Sequence, residues 1–147
     1  MRGHHNIAVI CVPPSRAGYV MAQCQDTIKR GIDIGDMGDA GDVVERIEQD
    51  NLQLWLVLDG DEPVATCFTD INVEAGGRRF IGVYGLAGTR IMRWAGRLSG
   101  ALLAFAKEER CDRVMFRGRP GWSRVLPEYQ PVRRMGGELI WQRWVLQ

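Results

Sequence analysis

The stretch from Arg79 to Trp122, RFIGVYGLAGTRIMRWAGRLSGALLAFAKEERCDRVMFRGRPGW, reads as strand, tight glycine turn, long amphipathic helix, strand and a further helix start. Phe80 to Tyr84 is apolar and rich in strand-forming residues. Gly85 and Gly88 permit a sharp turn before Thr89, an expected N-cap. The helix then runs to about Arg110. On a helical wheel Ile91, Ala95, Leu98, Leu102 and Phe105 fall within about 40° of one line, which makes them the buried face. Arg90, Arg93 and Arg97 fall opposite and point to solvent or to a partner. Trp94 flanks the buried face at about 60°. Cys111 to Arg117 follows as a strand, with Val114 and Phe116 alternating with Arg113, Met115 and Arg117. A helical crossover places it parallel to the strand at Phe80.

Working outward, Asn6 to Val12 makes a strand stopped by Pro13 and Pro14. A helix opened by Ser15 or Pro14 carries Tyr19, Val20, Cys24, Thr27 and Ile28 and ends at Gly31. Gly31 to Gly41, rich in Gly and Asp, reads as a loop. Asp42 to Asp50 is a short helix capped by Asp39 or Asp42, burying Val43, Val44 and Ile47. Strands at Leu52 to Asp59 and Val64 to Val73 are joined by the turn Asp59-Gly60-Asp61-Glu62. With the strand at Phe80, reached through Gly76 and Gly77, they form an antiparallel meander. Pro120 opens a short helix through Trp122, Val125 and Leu126, closed by Pro127. Strands around Val132 to Arg134 and Leu139 to Leu146 complete the chain.

A chain of 147 residues with 46% hydrophobic content suffices for one domain with a real core. No apolar run reaches membrane-spanning length. MRGHHNIAV lacks the pattern of a signal peptide, so the expected location is the cytoplasm of the cell that makes the protein. Cys11, Cys24, Cys67 and Cys111 show no CxxC spacing and read as reduced, mostly buried thiols. His4 and His5 are adjacent and terminal, which argues against a histidine metal site or catalytic triad. Charge is divided unevenly: residues 1 to 77 carry 5 Lys/Arg and 13 Asp/Glu, and the remainder carries 14 and 5. The basic half is nearly all Arg, suited to bidentate contacts with phosphate or carboxylate, or simply neutralised by the acidic half.

The order of elements resembles the fold of the GCN5-related N-acetyltransferase (GNAT) superfamily. The runs QLWLVLDGDEPVATCFTDI (53 to 71) and ALLAFAKEERCDRVMFRGRPGWSRVLPEY (101 to 129) are similar to small GNAT-like proteins encoded by tailed bacteriophages. GRPGWSRVL at Gly118 to Leu126 is the most specific piece. The resemblance implies an α/β (α+β) architecture. One GNAT-like domain over residues 1 to 147 holds a mixed, mostly antiparallel sheet with a parallel central pair and flanking helices.

In active members of that superfamily a segment R/Q-x-x-G-x-G/A before the long helix offers backbone N–H groups to the pyrophosphate of acetyl-CoA. The nearest match here, Arg93 to Leu98, puts Leu98 in the last glycine position and lies inside the helix. Gly88, Thr89 and Arg90 are the remaining candidates for the cofactor, or are a plain helix start. The tyrosine slot of the usual general acid falls on Leu126, with Tyr129 one helical turn away. Asp70, Glu74 and Tyr84 are candidate bases or ordinary strand residues. Trp141 and Trp144 must face opposite sides of one strand, so at least one needs a lid or partner. With Arg93 and Arg97 they form a candidate partner-binding set, against a plain core and solvated surface.

Two functions follow from the resemblance. The first is a virion-associated structural or binding component, an internal or head-and-tail protein, with no cofactor and acetyl-CoA bound weakly or not at all. Its partners are other phage proteins or further copies of itself. The second is an acetyl-CoA-dependent N-acetyltransferase, an acyltransferase with an unusual cofactor loop. Nucleic-acid binding by the basic half is a weaker third reading, and no metal is expected.

Overall fold

The computed structural model describes residues 6–145. Those outside include His4, His5 and Leu146, the end of the last expected strand. The strands are β1 (Ile7–Val12), β2 (Gln53–Asp59), β3 (Glu62–Val73), β4 (Arg79–Gly88), β5 (Arg113–Gly118), β6 (Gln130–Met135) and β7 (Glu138–Trp144). The helices are α1 (Ala17–Gln23), α2 (Gln25–Gly35), α3 (Ala40–Glu48), α4 (Ile91–Glu108) and α5 (Trp122–Val125), with a short 3-10 turn at Pro14–Arg16. One seven-stranded sheet runs in the order β1-β2-β3-β4-β5-β7-β6. Its neighbours are antiparallel except β4 and β5, which pair in parallel from Phe80↔Arg113 to Val83↔Phe116.

Two cores lie on the two faces of this sheet. Ile81, Val114 and Trp141 pack under α4 through Trp94, Ala95, Leu98, Leu102 and Ala106. Phe68, Leu54 and Leu52 pack under α1, α2 and α3. The helical wheel therefore places α4 correctly: Leu98 and Leu102 are buried, and Ile91 and Phe105 lie half-buried at its margins. Trp94 is more deeply buried than the wheel suggests, at 1% exposure. Asp39 caps α3, its carboxylate accepting from the Asp42 N–H at 2.9 Å.

Three sequence expectations are corrected. The helix expected to end at Gly31 breaks instead at Cys24 and resumes as α2 through Gly35, so the expected Gly31 to Gly41 loop shrinks to residues 36–39. Gly31 is buried because α2 presses its backbone on Gly85, where a Cβ would collide with the carbonyl oxygen. The glycine serves close approach rather than a turn. Gly85 and Gly88 likewise do not make a turn. They lie in β4, where Gly85 at φ +60° sits in a bulge that shifts the β3–β4 register between Thr66 and Phe68. Finally, Thr89 is not the N-cap. Its N–H still bonds to Val64 O at 2.9 Å, so the turn into α4 falls on Arg90, the N-cap at φ +59° without a side-chain cap bond.

Candidate functional site

Beyond Val83 and Phe116, β4 continues to Gly88 and β5 to Gly118 without pairing to each other. A cavity of about 810 Å3 opens at this split. Its walls come from both sides of the sheet: Ile34, Gly35 and Asp36 from the end of α2, and Trp94, Leu98, Ser99 and Leu102 from α4. Strand alternation divides the rest. Val114 and Phe116 face α4, so Met115 and Arg117 face the α2 side with Gly82 and Tyr84. Trp122, Leu126 and Tyr129 close the α4 side. Trp122 is half-buried on this wall.

The structure brings Tyr84 and Tyr129 to this one cavity. Tyr129 is buried and shares a hydrogen bond with Ser99 Oγ at 2.9 Å. Burial pushes its hydroxyl pKa up, against the opposing effect of that bond. Burial also raises Tyr84, reinforced by the charge of Asp70 and a hydrogen bond to it. Asp70 is in turn held by Asn72 Nδ2 at 2.7 Å and lies 4.0 Å from the Arg46 guanidinium. Both tyrosines therefore stay protonated at neutral pH, which leaves each hydroxyl a proton to donate. Glu74 lies apart from the cavity, its carboxylate bonded to the buried Arg113 guanidinium.

The α4 N-terminus is different. Gly88, Thr89 and Arg90 do not line the cavity. Thr89 O accepts from Trp94 Nε1 at 2.6 Å, and the Arg93 N–H bonds to Arg90 O at 2.9 Å. Arg90 reaches Asp59 at 3.4 Å and Glu62 at 3.8 Å, on the far side of the helix. Arg93 to Leu98 lies within regular helix, as its sequence suggests. A pyrophosphate needs several converging N–H donors at a helix start, and here those of Thr89 and Arg93 are already taken by Val64 O and Arg90 O, while the Arg90 guanidinium is paired with Asp59 and Glu62. The residues present do not fit the pyrophosphate of acetyl-CoA, although the split itself has room for an extended chain.

The expected partner set does not form one surface. Arg93 makes a forked contact to Asp59, with Nε to Oδ2 at 3.0 Å and Nη2 to Oδ1 at 3.1 Å, and Arg97 donates to Ile7 O at 3.0 Å. These bonds strap α4 to the β1–β2 edge. Trp141 is buried, its Nε1 donating to Gly118 O at 3.1 Å. Trp144, on the opposite strand face, is 46% exposed beneath the Arg78 and Arg113 guanidinium groups. Sequence reasoning missed Arg117, Arg133 and Ile140 around the cavity. Only strand register assembles them, since Ile140 of β7 faces Arg117 on one side and Arg133 on the other.

No protein-family model matches the sequence. No curated protein matches it either. Solved structures do match in shape. One is a probable acetyltransferase from Staphylococcus epidermidis ATCC 12228, at TM-score 0.67 and 11% identity over 95% of this chain and 99% of that one. Another, the NatC complex bound to Gag peptide and CoA, matches at 0.68 and 12% over 96% and 99%. FeeM, an N-acyl amino acid synthase from uncultured soil microbes, matches at 0.61 and 11% over 95% and 90%. The chain has the GNAT fold, with the parallel β4–β5 pair at its centre. Among the described residues no helix is long and apolar enough to cross a membrane.

Proposed function

We propose that this chain is a GNAT-fold binding component rather than a working acetyltransferase, and that it associates with a phage virion. The observation that carries the first part is the start of α4, where Thr89, Arg93 and Trp94 direct their N–H groups to partners within the chain. Support for the virion part is the likeness of residues 53 to 71 and 101 to 129 to phage-encoded GNAT-like proteins. Its partners on this reading are other virion proteins or further copies of the chain. Arg90 alone would add about 1.5–3 kcal/mol to phosphate binding, against roughly 8 kcal/mol for micromolar affinity. Calorimetric titration with acetyl-CoA and CoA should show no saturable binding at micromolar concentration. A low-micromolar dissociation constant abolished by Arg90→Ala would overturn the reading. Mass spectrometry of purified particles tests the virion part, which falls if the chain is absent from them.

The second reading, an N-acetyltransferase with an unusual cofactor loop, is favoured by one observation: Tyr84 and Tyr129 reach the same cavity from opposite faces of the sheet. Two protonated hydroxyls there could serve a leaving thiolate. Acetyl transfer to an amine that is lost in both Tyr84→Phe and Tyr129→Phe would establish it.

A further inference from the structure

We propose that the β4–β5 split binds a linear amphiphilic carboxylate, its tail reaching the α4 side and its head held on the opposite face by Arg117 and Arg133. The tail's environment is apolar: Trp94, Leu98, Leu102 and Phe116 line the inner wall. The volume, about 810 Å3, falls within the roughly 300–1,000 Å3 of small-molecule sites. A gap between two neighbouring strands admits a chain more readily than a ring system.

The head's position follows from register. Arg117 and Arg133 both pair with Ile140, one from β5 and one from β6, so the two guanidinium groups flank one apolar residue on the α2 side of the sheet. Both residues are exposed and both line the cavity. Arg117 is held by Glu138 at 3.1 Å, and Arg133 rests on Met135 Sδ at 3.8 Å. The charged lining groups are Arg117, Arg119 and Arg133 against Asp36 and Glu138, a net positive balance that complements an anion. A guanidinium fork matches a carboxylate in shape as well as sign.

This proposal rests on the reading of the chain as a binding component. Calorimetry with decanoate, and with decanol as its uncharged counterpart, tests it on the intact chain. Decanoate should bind saturably, one molecule per chain. The double variant Arg117→Gln with Arg133→Gln, at exposed positions, should weaken decanoate by about tenfold or more while leaving decanol unchanged. Met115→Trp, which plugs the split, should abolish both if circular dichroism shows it folded. Absence of saturable decanoate binding, decanol binding as tight as decanoate, or an unaffected double variant would each overturn the proposal. Acetyl-CoA titrated into the same preparation keeps the two readings apart. Micromolar acetyl-CoA binding without decanoate binding removes both, whereas silence from both ligands removes this proposal alone.

Discussion

The start of α4 and the split between β4 and β5 are neighbours, and in an active GNAT enzyme both would serve one cofactor. Here they have parted. At the helix start Trp94 is 1% exposed and its indole N–H is bonded to Thr89 O, while Arg90 and Arg93 are tied to Asp59. At the split the strands stop pairing after Val83↔Phe116 and leave about 810 Å3 between them. On the reading proposed above, a binding fold gives up its phosphate site and keeps its chain-binding slot. The slot follows from the sheet's own topology, whereas the phosphate site depends on a few residues of one connection.

The largest expected effect tests the closed end. Trp94→Ala should cost about 3–5 kcal/mol, the usual range for emptying a buried aromatic site, measured by the shift in urea unfolding. Acetyl-CoA binding should not appear in this variant, because the Thr89 and Arg93 N–H groups stay bonded to Val64 O and Arg90 O. A loss under about 1 kcal/mol, with acetyl-CoA binding gained, would mean that Trp94 merely plugs an intact cradle.

The open end is tested next. Gly85→Ala should cost about 2–3 kcal/mol, combining a left-handed backbone with the close approach of the Gly31 carbonyl. It should also reduce decanoate binding, since Gly85 lines the split. Stability unchanged by this substitution would show that the bulge is not what holds α2 against β4. Asp59→Asn is expected to be milder, about 1.5 kcal/mol, from loss of the charge-assisted fork with Arg93. Binding at the split should be untouched by it, and a change there would couple the two regions that the comparison separates.

Much of the fold was legible because periodicity reports burial directly. The α4 face, the meander and the parallel pair all follow from which apolar residues recur and at what spacing. The glycines misled, because a glycine read locally signals a turn, whereas Gly31 and Gly85 are there to let α2 and β4 approach each other. That contact joins residues far apart in sequence, and no window contains both. Trp94, placed by the wheel only at the flank of the buried face, is drawn fully inside, where its indole N–H reaches Thr89 O. Of the site, Tyr84 and Tyr129 were visible as residue types. Arg117 and Arg133 were not, because only their shared partner Ile140 makes them neighbours.

The smallest effect concerns the paired foot of the split, and its sign can be worked out. Arg113, 6% exposed, pairs with Phe80 at the start of the β4–β5 ladder and stacks on its ring. Asp112 holds that guanidinium at 2.8 Å and takes a second bond from Arg78 at 3.0 Å. Partial burial pushes the Asp112 carboxyl up, but the hydrogen bonds and charges of Arg113 and Arg78 together outweigh it, so its pKa lies below the ordinary value. A carboxyl lowered in the folded state stabilises the protein above the unfolded pKa of about 3.9 and loses that contribution as pH falls through the folded value. Asp112→Asn should therefore cost about 1 kcal/mol or less at neutral pH, and the gap between variant and native protein should close as acid is added. Urea unfolding of both proteins from about pH 7 to about pH 2 measures this gap. If the foot of the split is held by Asp112, decanoate binding should also weaken slightly in the variant. The absence of any gap at neutral pH would show instead that the bond to Glu74 alone secures Arg113, and that the anchor of the split lies just past the end of β3 rather than beside β5.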